Sequence, residues 1–512
     1  MDEMSVRTEG DSVLECYPKL EIIDEKLIRQ LVEDTVDWAH ANGMVMRTAT
    51  ATDRSDICQT VPCTLFPSPF PYSLFQEAMN IQQVFNVLYF RVSWDFDFLI
   101  KSHAEVVKTD DFTRHFVEIL NAVRISDFCQ RKTLLIQRND YMCHEDSYGN
   151  HLLKQELFVL EMIDLQIEVN NIAASMGSLA ERVTCMHRRT LETLQLPNKI
   201  IEKTILDNHP TITVAGGICE AWYDYGVPEA IVLFVVEDVN QNQIDQRHVE
   251  YRIDELSRRS ARCFRITLTD GAKRLKLNEN NHHLVLDDKW RVAVVYFRAG
   301  YSPSNYPTET EWTARRIIEL SDAVKCPWIG LQLANTKKVQ QVLSENGVLE
   351  KYITDKGMCA RIRKTFAGMW GLENDDDKTQ NIIQDAVANP EKFVLKPQLE
   401  GGGGNYYGKE VAEKLKTMSK DEMAAHIIME RITPMVVKNY VIRPQQEPVL
   451  MDVVGELGIY AYLYGSPVID NIQAENVIKN CVSGHIIRSK SKNVDKGGVA
   501  IGAAVIDSPY LF

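Results

Sequence analysis

The pattern that most restricts the fold is a series of nearly continuous apolar runs, rich in β-branched residues, that alternates with helical spacing. The strand-like runs are "KTLLIQ" (132–137), "LQIEVN" (165–170), "AIVLFVVE" (230–237), "CFRITL" (263–268) and "RVAVVYF" (291–297). Helical spacing occupies 24–41, 73–90, 112–124, 151–163, 178–194, 244–259 and 309–323. Apolar strands separated by helices are typical of sheets covered on both faces. The sequence therefore predicts an α/β fold.

Length and composition restrict the class of protein. A chain of 512 residues predicts two or three domains, and the net charge of −14 gives no general attraction to nucleic acid or to an anionic membrane. The eleven cysteines include no C-x-x-C pair, which excludes the common zinc spacings and favours reduced thiols. The acidic N-terminus has no apolar signal region, so we expect a cytoplasmic protein, although a leader already removed would leave no trace.

A run of four glycines in "FVLKPQLEGGGGNYYGKEV" (393–411) admits several interpretations. Residues 403–409 spell the G-x-x-x-x-G-K of a P-loop, but Glu410 stands where that motif needs a hydroxyl for magnesium. The spacing of a Rossmann fingerprint is absent. A plain flexible connection is the structural alternative, at a cost in backbone entropy.

A further interpretation of the run begins with Lys396 at the end of a strand and Glu400 just before the glycines. A lysine can bind phosphate, a carboxylate can hold magnesium, and a bare loop can fold over both, as in the ATP-grasp ligases. In "LQIEVN", strand alternation places Glu168 and Asn170 on one face, where their oxygens suit a hard divalent cation. The alternative for this segment is a solvated edge strand.

Several motifs, taken together and in order from about residue 30, resemble eukaryotic-type glutathione synthetase. They are "QIEVNNIAASMG", "RNDYM", "VVYFRAGY", "QLANTKKVQQ", "FVLKPQLEGGGGN", "GELGIY" and the C-terminal "GHIIRSKS…GGVAIGAAVIDSPY". The resemblance implies an ATP-grasp fold with a glycine-rich lid and a smaller inserted α/β substrate-binding domain. It also implies ATP-dependent ligation of γ-glutamylcysteine and glycine through an acyl-phosphate, by a homodimer that uses two Mg²⁺ ions.

The resemblance also implies roles for individual residues. The implied metal ligands are Glu168, Asn170 and Glu400. The implied ATP contacts are Lys337, Lys396, Glu400, Gly401, Gly402, Asn405, Tyr407, Met429, Ile432, Glu456 and Lys490. The implied substrate contacts are Arg138, Ser175, Asn240, Asn242, Gln246, Arg298, Tyr301 and Arg488, with the backbone of Val499 and Ala500 at the glycine end. The implied catalytic cations are Arg138, Lys337, Lys396 and Arg488.

The expected domains are an N-terminal part of the ATP-grasp body (1–227, with the magnesium strand 165–170), a substrate-binding domain (228–330) and an ATP-grasp domain (331–512) with a lid at about 370–450. Three departures from the family pattern fall on the substrate side. Asn240 replaces an acidic residue, Ala173 replaces a serine, and the chain has an added stretch near 145–163. A ligase of the same family with weakened or altered substrate choice is therefore the main alternative, and a non-catalytic binding relative is a third hypothesis.

Overall fold

The computed structural model describes residues 13–126, 130, 132–145, 150–154, 169–397, 405–468, 471–492 and 504–512. The α-helices span Glu25–Ala41, Tyr72–Trp94, Phe96–Ser102, Asp111–Ile125, Gly177–Thr193, Asn198–Thr204, Pro210–Tyr225, Gln243–Leu256, Leu268–Arg274, Glu309–Glu319, Ile329–Ala334, Lys337–Ser344, Leu349–Tyr352, Lys356–Thr365, Asp377–Ala388, Lys409–Thr417 and Lys420–Ala424. Within these ranges the structure has no helix that is both long and apolar enough to cross a membrane.

The strands are numbered in chain order. They are β1 Val45–Arg47, β2 Cys58–Thr60, β3 Cys63–Thr64, β4 Ser68–Phe70, β5 Thr133–Glu145, β6 His151–Lys154, β7 Val169–Asn170, β8 Ile231–Val235, β9 Cys263–Ile266, β10 Leu275–Leu277, β11 Leu284–Leu286, β12 Trp290–Phe297, β13 Val324–Cys326, β14 Met369–Gly371, β15 Phe393–Pro397, β16 Tyr406–Tyr407, β17 His426–Glu430, β18 Val436–Ile442, β19 Val449–Pro467, β20 Glu475–Ser491, β21 Ala504–Asp507 and β22 Pro509–Leu511.

The largest sheet is built around the long hairpin of β19 and β20. Its strand order is β18-β3-β21-β20-β19-β5-β6, with β7 paired to β5, and almost all of its pairings are antiparallel. Side chains on both faces are buried. Leu457 and Leu463 pack into one hydrophobic core, whereas Tyr460 and Tyr462 of the same strand pack into another. This two-sided burial explains why β5 and β19 have long apolar runs rather than strict alternation.

A second sheet, of six strands, lies between residues 231 and 326. Its order is β10-β11-β12-β8-β9, with β13 beside β12, and the pairs β8–β9, β8–β12 and β12–β13 are parallel. In parallel sheets, ligands bind in the crevice beyond the carboxyl ends of the strands. At that end the backbone N–H of Arg298 donates to the carbonyl of Val235 at 2.7 Å, so the ends of β8 and β12 are fixed together.

A third sheet has four antiparallel strands in the order β14-β17-β15-β16. Its own core, formed around Phe393, Leu395 and Ile428, packs against the helices Asp377–Ala388 and Lys409–Thr417. On its other side a small apolar cluster joins it to the eight-stranded sheet. That cluster contains Met142, Ala367, Ile427, Met429, Ile432 and Val454.

The mixed α/β fold predicted from the sequence is confirmed, and the predicted helices outside 151–163 begin and end within a few residues of those observed. The helical prediction for 151–163 is wrong at its start, because His151–Lys154 forms strand β6, in register with β5 from Met142 to Glu145. Residues 155–163 lie outside the described part of the chain. In the predicted strand 165–170, Val169 and Asn170 form β7, and the four residues before them are not described.

Candidate active site

Four charged side chains meet on one face of the eight-stranded sheet, and we call Arg138, Asp140, Glu456 and Arg488 the charge centre. Glu456 lies directly opposite Arg488 in the β19–β20 register, and β19 also pairs with β5, which carries Arg138 and Asp140 two residues apart. Residues two apart on a strand share a face, and so do residues directly opposite each other on paired strands. All four side chains are buried.

The charge centre is internally paired. Arg138 donates from Nε and Nη2 to the two oxygens of Asp140, at 2.7 and 2.8 Å, which is a bidentate arrangement. Nη2 of Arg488 donates to Asp140 Oδ2 at 2.8 Å and also to Glu456. Two guanidinium groups and two carboxyl groups are therefore hydrogen-bonded to one another in a site from which water is largely excluded.

Burial strongly affects the protonation of this centre. Burial raises the pKa of Glu456 to about 8, although the nearby Arg488 guanidinium opposes the shift. Burial alone would lower the pKa of Arg138, but the charge and hydrogen bonds of Asp140, together with Tyr460 and Glu456, outweigh it and hold that pKa above its ordinary value. Arg138 therefore stays charged at every physiological pH.

Asn170 is the predicted metal ligand that the structure describes, since Glu168 and Glu400 lie outside the described residues. Its amide nitrogen donates to Asp140 Oδ2 at 2.9 Å and to the carbonyl of Arg138 at 3.3 Å. The amide oxygen therefore lies on the side away from Asp140, which is the orientation that a hard cation requires. Over the described ranges no group of three or more His, Cys, Asp or Glu residues is placed to hold a metal ion.

The predicted nucleotide contacts lie where the four-stranded sheet approaches the eight-stranded sheet. Lys337 is the first residue of the helix Lys337–Ser344, Lys396 lies in β15, and both side chains are buried. Met429 and Ile432 belong to the small apolar cluster between the two sheets, and Tyr407 packs against it. Lys396 lies directly opposite Ile427 of that cluster, so a buried lysine adjoins an apolar surface, a combination that suits a base with attached phosphates.

The remaining predicted nucleotide contacts are placed as follows. Lys490 lies in β20 directly opposite Val454, and the Asn405 amide is 3.3 Å from the Tyr407 hydroxyl. Gly401 and Gly402 lie outside the described residues, as do Val499 and Ala500 on the substrate side.

A second polar region, beyond the carboxyl ends of β8 and β12, differs from the charge centre, and we call it the amide pocket. It comprises Asn242, Gln246, Arg298 and Gln332, all of them buried. Each has one side-chain atom without a hydrogen-bond partner: Oδ1 of Asn242, Nε2 of Gln246, Nε of Arg298 and Oε1 of Gln332. Buried polar atoms are almost always paired in folded proteins, so this concentration indicates a place for a polar ligand.

Asp245 connects the amide pocket to the loop that carries Ser175. Its two carboxylate oxygens accept from the backbone N–H groups of Met176 and Ser178, at 2.9 and 3.0 Å, and Arg298 Nη2 is 3.7 Å away. The carbonyl of Ser175 in turn accepts from Arg138 Nη1 at 3.0 Å. The amide pocket and the charge centre are thus joined through one short segment.

This segment has an unusual backbone. Ala173 and Met176 have positive φ angles of 50° and 68°, and the Tyr460 hydroxyl donates to the Ser175 carbonyl at 2.6 Å. Left-handed backbone at non-glycine residues is uncommon and clusters at functional sites.

Asn240, which replaces an acidic residue of the family pattern, is fixed by hydrogen bonds to neighbouring residues. Its amide nitrogen donates to Glu237 Oε2 at 2.5 Å, and its oxygen accepts from the backbone N–H of Asn242 at 2.7 Å. Glu237 also accepts from the Asn305 amide at 3.3 Å, and Asn305 accepts from the backbone N–H of Gly300, next to Tyr301. The loop therefore contains a carboxylate, although not at position 240.

Comparison with known proteins decides which family this architecture represents. The family model for the ATP-binding domain of eukaryotic glutathione synthase matches residues 25–511. The chain belongs to this family. It is 39% identical to the glutathione synthetase of Xenopus laevis and 37% identical to that of Homo sapiens, in each case over 95% of this chain and 98% of the relative. The chloroplastic glutathione synthetase of Solanum lycopersicum is 34% identical, over 96% of this chain and 85% of the relative.

A solved structure shares the fold of this glutathione synthase family member. The apo form of a glutathione synthetase-like effector from Globodera pallida superimposes with a TM-score of 0.76 and 28% identity, covering 96% of this chain and 98% of that one. The resemblance proposed from the sequence motifs is therefore confirmed, and the mixed α/β fold includes the ATP-binding domain of the family.

Sequence reasoning missed four residues that now belong to the site: Asp140, Glu237, Asp245 and Gln332. For Asp140 a signal was present, because it stands two residues after Arg138 in "RNDYM" and strand alternation places both on one face. Gln332 is the first residue of the motif "QLANTKKVQQ", but nothing in the motif reveals its contact with the Gly300 carbonyl. For Asp245 the relevance likewise depends on contacts with a distant loop.

Proposed function

We propose that this protein joins γ-glutamylcysteine to glycine at the expense of ATP, releasing glutathione, ADP and phosphate. The observation that carries the proposal is the charge centre, which adjoins the apolar cluster on β5 and β19 and is connected to the amide pocket through Ser175 and Asp245. The chain is also similar to glutathione synthetases along almost its whole length. A ligase needs these three regions next to each other, because phosphate transfer and amine attack occur at the same carbon.

The first step is formation of an acyl-phosphate. An oxygen of the cysteinyl carboxylate attacks the γ-phosphorus of ATP, and the bond from that phosphorus to the bridging oxygen of ADP breaks. Lys337 and Lys396 neutralise charge on the transferring group, and buried cations stabilise it more strongly than solvated ones would. Asn170, with Glu168 and Glu400, would hold Mg²⁺, which would supply further positive charge to the phosphates.

The second step is attack by the glycine amine on the acyl carbon. Phosphate leaves with the oxygen that came from the carboxylate, and the nitrogen loses a proton. Arg138 and Arg488 attract the carboxylates of the bound substrates, and a planar guanidinium presents its N–H groups in fixed directions, which also orients those carboxylates. Positioning dominates this step, because a neutral amine needs a fixed approach more than it needs a strong base.

The amide pocket takes the γ-glutamyl end of the dipeptide in this proposal. Asn242, Gln246, Arg298 and Tyr301 provide donors and acceptors to a group that is polar along its whole length. We further propose that the sheet β14–β17, with the glycine run that follows β15 in the sequence, acts as the lid. Residues 228–330 form the substrate-binding domain in this proposal, and two chains associate as a homodimer. Sedimentation analysis of the purified chain tests the last point.

A ligase of the same family with altered substrate choice is the second candidate. The observation that favours it is Asn240, whose amide oxygen already accepts a hydrogen bond from the backbone N–H of Asn242. The carboxylate of this loop is at Glu237 instead of at position 240. Movement of a negative charge within a substrate loop changes which ammonium position is favoured.

The experiment that tests the function is ADP release from ATP and Mg²⁺ with γ-glutamylcysteine and glycine together, and then with each omitted in turn. We expect fast release only when both are present, with glutathione identified by mass. Slow release with both, combined with tight ATP binding, would favour the second candidate, and a panel of other γ-glutamyl acids and amines would follow. ATP binding without turnover on any of them would contradict both and leave a non-catalytic relative.

A further inference from the structure

Asp140 is the carboxylate of the charge centre to which the sequence assigns no role. Its side chain is completely buried and accepts four hydrogen bonds from three side chains. Those donors are Arg138, Asn170 and Arg488, which are the residues proposed above to meet the dipeptide, the metal and the glycine. One buried carboxylate is therefore the shared partner of three groups that touch different ligands.

The contact with Asn170 decides which way the amide points. Its nitrogen faces Asp140 Oδ2 at 2.9 Å and the Arg138 carbonyl at 3.3 Å, and both of these atoms only accept hydrogen bonds. Rotation of the amide by half a turn would direct its oxygen at two acceptors, so the observed orientation is strongly favoured. The amide oxygen is thereby presented on the opposite side.

The contacts with the two arginines fix their planes. Arg138 uses one edge of its guanidinium on both oxygens of Asp140, which leaves Nη1 directed at the Ser175 carbonyl. Arg488 uses a single nitrogen, Nη2, for both Asp140 and Glu456. Among the described residues Arg488 donates side-chain hydrogen bonds only from Nη2, so its other guanidinium nitrogens are the ones able to meet a substrate carboxylate.

We propose that Asp140 is a positioning residue that sets the orientations of Asn170, Arg138 and Arg488 together, so that the metal–nucleotide complex, the dipeptide and the glycine are aligned by one carboxylate. The inference rests on the proposed function and adds to it a residue that touches no ligand itself. Groups that orient metal ligands in this way typically change metal affinity by about 10–100-fold when they are replaced.

Gly458 makes this arrangement possible. It lies opposite Asp140 in the β5–β19 register, and a Cβ at Gly458 would come within 2.6 Å of Asp140 Oδ1, 2.8 Å of Ile486 Cγ2 and 2.9 Å of Arg138 Cδ. An added methyl group must therefore displace the Arg138–Asp140 pair, together with Ile486, without removing any donor or acceptor. Gly455 of the same strand is a matched control, because its Cβ would meet only Ile487 at 3.1 Å and Ser489 at 3.8 Å.

The main test is Asp140→Asn, with Asp322→Asn as its matched control. Asp322 Oδ2 is also shared by three side chains, with Tyr225 Oη at 2.9 Å, His283 Nδ1 at 2.8 Å and Arg291 Nη2 at 3.0 Å. Arg291 and Arg298 stand at the two ends of β12, about 23 Å apart at the usual rise of a strand. Asp322→Asn therefore reports what loss of a three-donor carboxylate does away from the site.

The readouts are Mn²⁺ binding to the complex with a non-hydrolysable ATP analogue, by calorimetry, and KM for each substrate against kcat. For Asp140→Asn we expect Mn²⁺ affinity to fall about tenfold or more, and KM for both γ-glutamylcysteine and glycine to rise by a similar factor. Asp322→Asn should leave all three values unchanged. Gly458→Ala should reproduce the pattern of Asp140→Asn in milder form, and Gly455→Ala should not.

Unchanged Mn²⁺ affinity and KM values in a folded Asp140→Asn protein would overturn the inference, even if its melting temperature fell. If Asp140→Asn does not fold, Gly458→Ala decides, and a Gly458→Ala protein indistinguishable from Gly455→Ala would overturn it too. Failure of the proposed function is separable, because it would appear as a wild-type protein that makes no glutathione. Loss of Mn²⁺ affinity in Asp140→Asn alone would still support the positioning role in that case.

Discussion

The charge centre and the amide pocket are two buried polar regions that are completed in different ways. In the charge centre, Asp140 satisfies both arginines, and Glu456 shares Arg488, so the protein itself provides the counter-charges. In the amide pocket, atoms such as Asn242 Oδ1 and Gln332 Oε1 have no partner although they are buried. In the first region folding supplies the hydrogen-bond partners of the charged groups. In the second region a ligand must supply the partners that are missing.

This difference separates a region whose charged groups already satisfy one another from a region whose polar atoms lack partners until a ligand binds. A paired ionic network is costly to break but contributes little specificity while its members satisfy each other. Unpaired buried amides cost folding free energy in the free protein, and that cost is recovered when a substrate supplies the missing hydrogen bonds. Stability and substrate affinity should therefore respond oppositely to changes in the two regions.

The largest expected effect is on stability in the charge centre. Arg488→Met leaves two buried carboxylates facing one arginine, and we expect the free energy of unfolding to fall by about 3–5 kcal/mol. Arg298→Met in the amide pocket is the matched change. It should cost only about 1 kcal/mol, since Asp245 keeps its two backbone N–H donors. Urea denaturation of both variants checks this, and equal losses would contradict the division between the regions.

The next largest effect concerns the amide pocket, where a substitution should change the stability in the opposite direction. Asn242→Leu removes a buried oxygen that has no partner, so stability should be unchanged or higher. Loss of one hydrogen bond to the substrate should raise KM for γ-glutamylcysteine roughly tenfold. Steady-state kinetics with glycine saturating, together with a thermal melt, measure both quantities. A destabilised Asn242→Leu protein with unchanged KM would show that the pocket is structural.

Asp507 provides a second comparison with the charge centre. It is a buried carboxyl group of the same sheet, but its hydrogen-bond donors are neutral, whereas those of Asp140 include two arginines. It accepts from the Ser68 and Ser489 hydroxyls, each at 2.6 Å, and from the backbone N–H of Ser508 at 2.7 Å. Burial raises its pKa to about 6, from an ordinary value near 3.8. A folded-state pKa above the unfolded one gives stability that is present below about pH 4 and lost as the pH rises through 6.

The corresponding prediction compares wild type with Asp507→Asn. The stability of wild type relative to the variant should fall by about 1.4 kcal/mol between about pH 5 and about pH 7.5, close to one pKa unit. Urea denaturation at the two pH values measures the difference, and the variant provides its own control for the titration of other groups. A difference that does not change with pH would mean that Asp507 titrates outside this range.

The smallest effect concerns Asn240 and Glu237. Asn240→Asp alone places a second carboxylate against Glu237 and should not lower KM for γ-glutamylcysteine. The double change Asn240→Asp with Glu237→Gln returns the single charge to position 240, and we expect KM to fall about threefold. Kinetics of the two single variants and the double variant form a cycle. A lower KM for Asn240→Asp alone would show that Glu237 does not influence this position.

The sequence alone was sufficient to locate several strands and to identify the family. Apolar runs located β5, β8 and β12, and the motifs around Arg138 and Arg298 identified the family. Strand alternation in "RNDYM" would also have placed Asp140 beside Arg138. The charge centre itself depends on pairings between segments hundreds of residues apart, such as Arg138 with Tyr460 and Met142 with Glu456. No local pattern encodes such a register.

Other predictions failed or remain open for physical reasons. The segment from His151 has helical spacing, but it pairs with the edge of β5 and forms a strand. Pairing within the sheet therefore outweighs the local helical propensity. The unpaired atoms of the amide pocket could not be foreseen, because satisfaction of a side chain depends on its neighbours in space. The predicted roles of Glu168 and Glu400 concern residues outside the described ranges and stay predictions.

The most direct test of the central claim follows the oxygen of the activated carboxylate. γ-Glutamylcysteine labelled with ¹⁸O in its cysteinyl carboxylate is incubated with ATP, Mg²⁺, glycine and the enzyme, and the released phosphate is analysed by mass spectrometry. The account predicts one ¹⁸O atom in each phosphate and one in the new peptide bond of glutathione. Phosphate without label, released while ATP is consumed, would show that the carboxylate is never phosphorylated and would contradict the account.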